Sequence, residues 1–195
     1  MKYNDFSELP QNPNFVNYII YSSAFQTDEL DRINRCWQEE LGRPASLGDG
    51  TVFDETLRKS NLIHLAGDAD NRWLFHKLGT IFQHGNKNRY HFDVLGIGEP
   101  LQLAEYTQDS YFGWHVDFGS GRTSQRKLSL TVQLSNPDEY EGGDLQFMIN
   151  DTEVDAPRAP GTAVVFPSFV PHRVTLVTRG VRRSLVGWAA GPPYR

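Results

Sequence analysis

The chain has 195 residues, enough for one domain with a substantial core, and a formal net charge of −5, which argues against nucleic acid or an anionic membrane surface as its main partner. Cys36 is the only cysteine, so an intrachain disulfide and a cysteine-rich zinc site are excluded. The N-terminal Met-Lys-Tyr-Asn-Asp leads into no long apolar run, so neither a signal peptide nor a membrane span is expected, and a cytoplasmic location is the default.

Residues 28–41 read as an amphipathic helix, with Leu30, Ile33, Trp37 and Leu41 at helical spacing. Thr27 is the expected N-cap, Asp28 and Glu29 suit the positive end, and Gly42 suits the terminus. A second helix is expected over about 70–84, with Leu74, Leu78, Ile81 and Phe82 on one stripe and Gly85 after it. From about residue 90 the pattern shifts to short runs between turns. Strands are expected at Tyr90–Val94, Leu101–Tyr106, Leu128–Leu134, Asp144–Ile149, Ala163–Phe166, His172–Val177 and Arg183–Ala189. Breaks fall at Gly96-Ile97-Gly98, Asn136-Pro137-Asp138, Gly142-Gly143 and Pro160-Gly161. The expected architecture is a single mainly β domain over 1–195: N-terminal helices supporting it to about residue 89, then a double-sheet jelly roll over about 90–190.

Two His-x-Asp triplets stand in the chain, His91-Phe92-Asp93 and His115-Val116-Asp117. A strand sends alternate side chains to one face, so either pair can point at one ion, and the spacing alone does not choose. Context does. His115 follows Tyr111-Phe112-Gly113-Trp114, where a glycine-bearing turn can aim a strand end into a pocket, and it precedes the polar, Gly-rich loop Gly119–Arg122. His91 lies in a run that reads as an ordinary strand, so the metal is assigned to 115/117 and 91/93 to scaffold. His172, after an apolar strand ended by Pro167, is the third candidate ligand, sharing a face with Val174 and Leu176. Two histidines and one carboxylate are the donor set of non-haem Fe(II) oxygenases, which leave coordination positions open.

Arg182 shares a face with Ser184, Val186 and Trp188, so it should point inward. A buried guanidinium needs a fixed anion, and no nearby acid is an obvious partner, so a ligand carboxylate is the attractive one. In the run Leu128–Leu134, Leu128, Leu130, Val132 and Leu134 make an apolar face. Ser129, Thr131 and Gln133 make the other, either facing solvent or forming a hydrogen-bonding pocket wall. Arg122, Arg126 and Lys127 read as a local basic patch in the loop Phe118–Lys127.

Over roughly residues 58–190 the chain resembles the 2-oxoglutarate- and Fe(II)-dependent dioxygenases, in the prolyl 4-hydroxylase-like branch that includes the bacterial PKHD-type hydroxylases. The resemblance runs through the segment Glu99–Tyr106, then Gly113-Trp114-His115-Val116-Asp117 and Leu128–Ser135. It continues through Asp138–Leu145, Phe166-Pro167-Ser168, His172-Arg173-Val174, Arg179-Gly180-Val181-Arg182 and Trp188. It implies iron ligands at His115, Asp117 and His172, and a basic residue ten positions beyond the last histidine, Arg182, holding the distal carboxylate of 2-oxoglutarate. It also implies a co-substrate contact from Tyr106, with Gln133, Thr131 and Trp188 completing the pocket; Gln133 stands where several relatives have an aromatic residue. Fe(2+), 2-oxoglutarate and O2 are the expected cofactors and co-substrates, with ascorbate compatible as a reductant. The expected reaction is hydroxylation of an unactivated C–H bond, by analogy a prolyl residue of a peptide or protein. The alternatives are a free amino acid or small metabolite as substrate, or a non-catalytic metal-binding jelly roll serving as an interaction module. Selectivity is expected from Phe118–Lys127 and Leu41–Leu57, loops around a rigid barrel.

Overall fold

The computed structural model describes residues 11–39, 42–45 and 54–193. In chain order these form β1 (Ile19–Tyr21), α1 (Thr27–Glu39), β2 (Arg43–Pro44), β3 (Arg58–Lys59), β4 (Asn61–Leu65), α2 (Arg72–Gly85), β5 (Gly96–Ile97), β6 (Leu101–Tyr106) and β7 (Tyr111–His115). There follow β8 (Arg126–Gln133), β9 (Tyr140–Gly142), β10 (Leu145–Ile149), β11 (Thr152–Asp155), β12 (Ala163–Pro167), β13 (His172–Val174), β14 (Val177–Gly180) and β15 (Arg182–Ala190). The larger sheet runs β1-β12-β8-β15-β6-β4-β2, with β5 on the end of β15; the smaller runs β11-β10-β13-β7-β3, and β14 pairs with β9.

Strand alternation builds three layers. On one side of the larger sheet, Leu101, Leu103, Leu128, Leu130, Val132 and Leu185 pack against Phe25, Leu30, Ile33, Leu74, Leu78 and Phe82 in and beside the two helices. Each such side chain contributes about 1.5–3 kcal/mol on leaving water. On the other side, Leu62, Ala104 and Tyr106 meet Val174 and Val177, and Val164 and Phe166 meet Leu145 and Phe147. The jelly roll is therefore a sandwich with helices on its outer face, and Ser129, Thr131 and Gln133 of β8 face the gap between sheets. Gly187 leaves room for its neighbours on the helical face: a Cβ there would stand 2.8 Å from Leu101 Cδ2 of β6 and 3.5 Å from Leu78 Cδ1 of α2.

Several sequence expectations need correction. The stretch before residue 90 also supplies β1 to β4, which extend both sheets. Thr27 is the first residue of α1 rather than a cap outside it, and Glu29 accepts from the Gln26 amide at 2.8 Å. Leu41 lies outside the described residues. Gly85 is the last residue of α2 rather than the residue after it, and the helical path continues through a wider π turn, Asn86–Tyr90, so Tyr90 is no strand residue. His91 leaves it with φ +58°, and the Asn86 side chain bonds both the Phe92 carbonyl and amide, so 91–94 turns instead of pairing. Gly96-Ile97, expected as a break, forms the short β5. The run His172–Val177 is two strands: β13 ends at Val174, and Val177 opens β14, which pairs with β9 instead of β7, leaving Leu176 between them exposed. Among the described residues no helix is long and apolar enough to cross a membrane.

Candidate active site

His115 closes β7, and β13 lies antiparallel beside it with His172 directly opposite. Asp117 is held two residues past the strand end, its amide donating to the Ser168 carbonyl at 2.9 Å. One ligand atom from each of His115, Asp117 and His172 lies within 4.8 Å of the others. His172 Nε2 is 3.6 Å from one carboxylate oxygen of Asp117 and His115 Nε2 is 3.9 Å from the other.

The surroundings fix the form each group takes. His115 Nδ1 is 2.8 Å from the Gly113 carbonyl and His172 Nδ1 is 3.0 Å from the Val170 carbonyl. A carbonyl only accepts, so each Nδ1 carries a hydrogen and each ring turns its Nε2 toward the centre. Burial, then the neighbouring His172, pushes the His115 pKa down to about 3, keeping it a neutral ligand. Burial alone would raise Asp117, but His172, His115, Arg126 and a bond from Ser129 outweigh it and hold the carboxyl at about 2. That bond runs from Ser129 Oγ to Asp117 Oδ2 at 2.6 Å, and Ser168 Oγ stands 3.0 Å behind it. Two imidazoles with Nδ1 tied to carbonyls and an ionised carboxylate, converging and largely buried, suit a divalent cation.

A cavity of about 810 Å³ opens beside these three groups, between the sheets. Arg182 lines it at 1% exposure. Its Nη2 donates to Gln133 Oε1 at 3.1 Å and its Nη1 to Ser184 Oγ at 3.4 Å, while Nε has no partner. Burial pushes its pKa down, yet no acid forms an ion pair with it among the described residues. Gly143, at φ +64°, leaves space for the Arg182 stem: a Cβ there would stand 3.0 Å from Arg182 Cδ. An arginine so placed calls for an anion, and its planar fork suits a carboxylate. The donor set and this incompletely bonded guanidinium together fit Fe(II) with a dicarboxylate co-substrate.

Of the remaining residues expected in the pocket, Tyr106, Thr131 and Trp188 line the cavity. Gln133 is absent from that lining; it buttresses Arg182 and is itself tied to the Pro157 carbonyl. Trp188 Nε1 is buried without a partner. His91 and Asp93 are exposed and outside the cavity.

Arg126 and Lys127 correct the expected basic patch. Both are buried, and Arg126 is the first residue of β8 rather than a loop residue. Arg126 binds Glu99 through two bonds of 2.7 and 2.6 Å and lies 3.7 Å over the Trp188 ring. Only Arg122 of that patch is exposed. Sequence reasoning missed Glu99 and Arg58 as site residues, and it missed Ser129 and Ser168 as supports of Asp117. The Ser129 position was legible as a polar face; nothing local pointed to the other three.

The family described as the 2OG-Fe(II) oxygenase superfamily matches residues 101–190. A PKHD-type hydroxylase of Synechococcus sp. (strain CC9605) is 42% identical over 98 residues, 50% of this chain and 44% of that protein. The chain thus spans less than half of that relative's length. A PKHD-type hydroxylase of Sphingopyxis alaskensis is 38% identical over 154 residues, 73% of this chain and 67% of the relative. A prolyl hydroxylase from Trichoplax adhaerens, solved in complex with a hypoxia inducible factor peptide fragment, superimposes with a TM-score of 0.76. It is 16% identical, and the match covers 92% of this chain and 85% of that one, a likeness of fold.

Proposed function

The chain belongs to the 2OG-Fe(II) oxygenase superfamily, and on that premise we propose that it is a 2-oxoglutarate-dependent hydroxylase of a prolyl residue in a peptide or protein. The observation that carries this reading is Arg182, buried at 1% and without an acidic ion-pair partner among the described residues, in the cavity that also receives His115, Asp117 and His172.

His115, Asp117 and His172 would hold the ferrous ion through Nε2, a carboxylate oxygen and Nε2. When bound, the iron would let 2-oxoglutarate supply two electrons for the reduction of O2, so that one oxygen atom can be inserted into an unactivated C–H bond. Overall, 2-oxoglutarate, O2 and substrate give succinate, carbon dioxide and the hydroxylated product. Arg182 fixes the distal carboxylate of 2-oxoglutarate, and Gln133 and Ser184 hold the guanidinium in place. Ser129 keeps the Asp117 carboxylate oriented, while the Gly113 and Val170 carbonyls set the two imidazole tautomers. Packed strands wall the cavity on either side, and Val116 and Arg122 are exposed at its mouth.

The names of the PKHD-type relatives support hydroxylase chemistry, and that of the structural neighbour supports a prolyl target. Succinate release over a panel of proline-containing peptides and free amino acids tests it. Stimulation by peptides above the uncoupled background is the expected result. Stimulation by free amino acids alone would overturn the peptide substrate, and no succinate under any condition would overturn the enzyme reading.

A further inference from the structure

We propose that Arg58 anchors a carboxylate of the substrate, so that the molecule hydroxylated carries an acidic group close to the reacting C–H bond. This deepens the function proposed above and rests on it.

The cavity is cationic in an acidic protein. Arg58, Arg122, Arg126 and Arg182 line it, and Asp117 is the one carboxylate among its described lining residues, although the whole chain carries −5. Three of those arginines are accounted for. Arg182 faces the co-substrate, Arg126 is held by two bonds to Glu99, and Arg122 is exposed at the rim.

Arg58 is different. It begins β3, opposite Phe112 of β7, and is only 8% exposed. Its Nε donates to Ser60 Oγ at 2.9 Å, which fixes the plane of the guanidinium without neutralising it. The guanidinium carbon lies 4.5 Å from the centre of the Phe112 ring, and that ring stacks on His115 with centres 3.5 Å apart. Arg58 is near enough to contribute to the lowered pKa of His115. No acid pairs with it among the described residues. A ring face offsets only part of the cost of burying a cation, and a hydroxyl offsets none of the charge. Its terminal N–H groups, in the cavity wall beside a candidate iron ligand, are arranged to bind a carboxylate through two parallel bonds. A neutral amide carbonyl would take one such bond and leave the charge unmatched.

The carboxylate can belong to a free imino acid, to a peptide C-terminus, or to an acidic side chain beside the target residue. Protein loaded anaerobically with Fe(II) and 2-oxoglutarate is titrated with N-acetyl-L-proline and its primary amide. N-acetyl-Pro-Glu-amide and N-acetyl-Pro-Gln-amide form a second pair, and Kd is read from saturation-transfer NMR. The acid member of at least one pair should bind about 10-fold tighter, the size of one modest charge-assisted contact. Arg58→Met should bring that ratio to about one, and Arg58→Lys should keep part of it. A preference in the first pair alone assigns a free or terminal carboxylate, and in the second pair a flanking acidic residue. Either result supports the proposal. Equal Kd within both pairs, binding by none of the four, or an acid preference that survives Arg58→Met overturns it. The visible charge-transfer band of the loaded intact protein is read first. Without the band the function proposed above fails; with the band but no acid preference, only the Arg58 assignment fails.

Discussion

His91-Phe92-Asp93 and His115-Val116-Asp117 share a spacing and nothing else. The first leaves a π turn with His91 at φ +58°, and both polar side chains are exposed. The second ends a strand paired to β13, and its His115 and Asp117 side chains are largely buried among partners that orient them. Spacing decides only which side chains can share a face. What makes a ligand pair is the next layer: a carbonyl behind each imidazole, a hydroxyl on the carboxylate, and a third ligand from another strand.

Variants that strip this layer, or test its absence around His91, sharpen the contrast. The largest effect is expected from Arg182→Ala. Removing one partner of a buried charge pair costs about 3–5 kcal/mol, so the apparent KM for 2-oxoglutarate should rise roughly 100-fold or more. Succinate release against 2-oxoglutarate concentration reads this, and an unchanged KM would detach Arg182 from the co-substrate. Next, Ser129→Ala should weaken Fe(II) binding about 10–100-fold by anaerobic titration, the usual scale for a group that orients a ligand.

A smaller effect is expected on the stability of the metal-free protein. Unfolded, His115 titrates near 6.5; folded, burial and then His172 lower it to about 3. The unfolded chain therefore takes the proton first. Stability should fall as pH drops from about 6.5 toward 3, by at most about 1.4 kcal/mol per pH unit from this group. Asp117, depressed from 3.8 to about 2, adds a further loss below about pH 4. Urea midpoints between pH 7 and 4.5 should fall more gently in His115→Ala than in the parent, while His91→Ala keeps the parent slope. The smallest effect is that of His91→Ala on stability at pH 7, within about 0.5 kcal/mol as for other exposed positions.

The sequence carried the alternation of β8 and β15 because both strands are continuous and sit between an apolar helical layer and a polar gap. Leu128, Leu130 and Val132 face the helices, and Arg182, Ser184, Val186 and Trp188 line the cavity. Ser129 was readable as polar, but its contact with Asp117 depends on which strand end lies across the gap, and periodicity does not encode that. Tyr90–Leu95 misled for the opposite reason. It keeps a strand's alternation, Tyr90 buried and His91 exposed onward, without a partner strand. Arg126 looked like a loop cation because its neutralising acid, Glu99, lies 27 residues back. The second segment expected to set selectivity, Leu41–Leu57, is described only at 42–45 and 54–57, and Leu57 lines the cavity.

The central claim is that iron and 2-oxoglutarate meet at His115, Asp117 and His172. Anaerobic titration of the protein with Fe(II) and 2-oxoglutarate, read by visible absorption, tests it most directly. The metal–keto acid charge-transfer band should form in the parent and in His91→Ala and vanish in His115→Ala. A band that survives His115→Ala, or that never forms in the parent, would contradict the account.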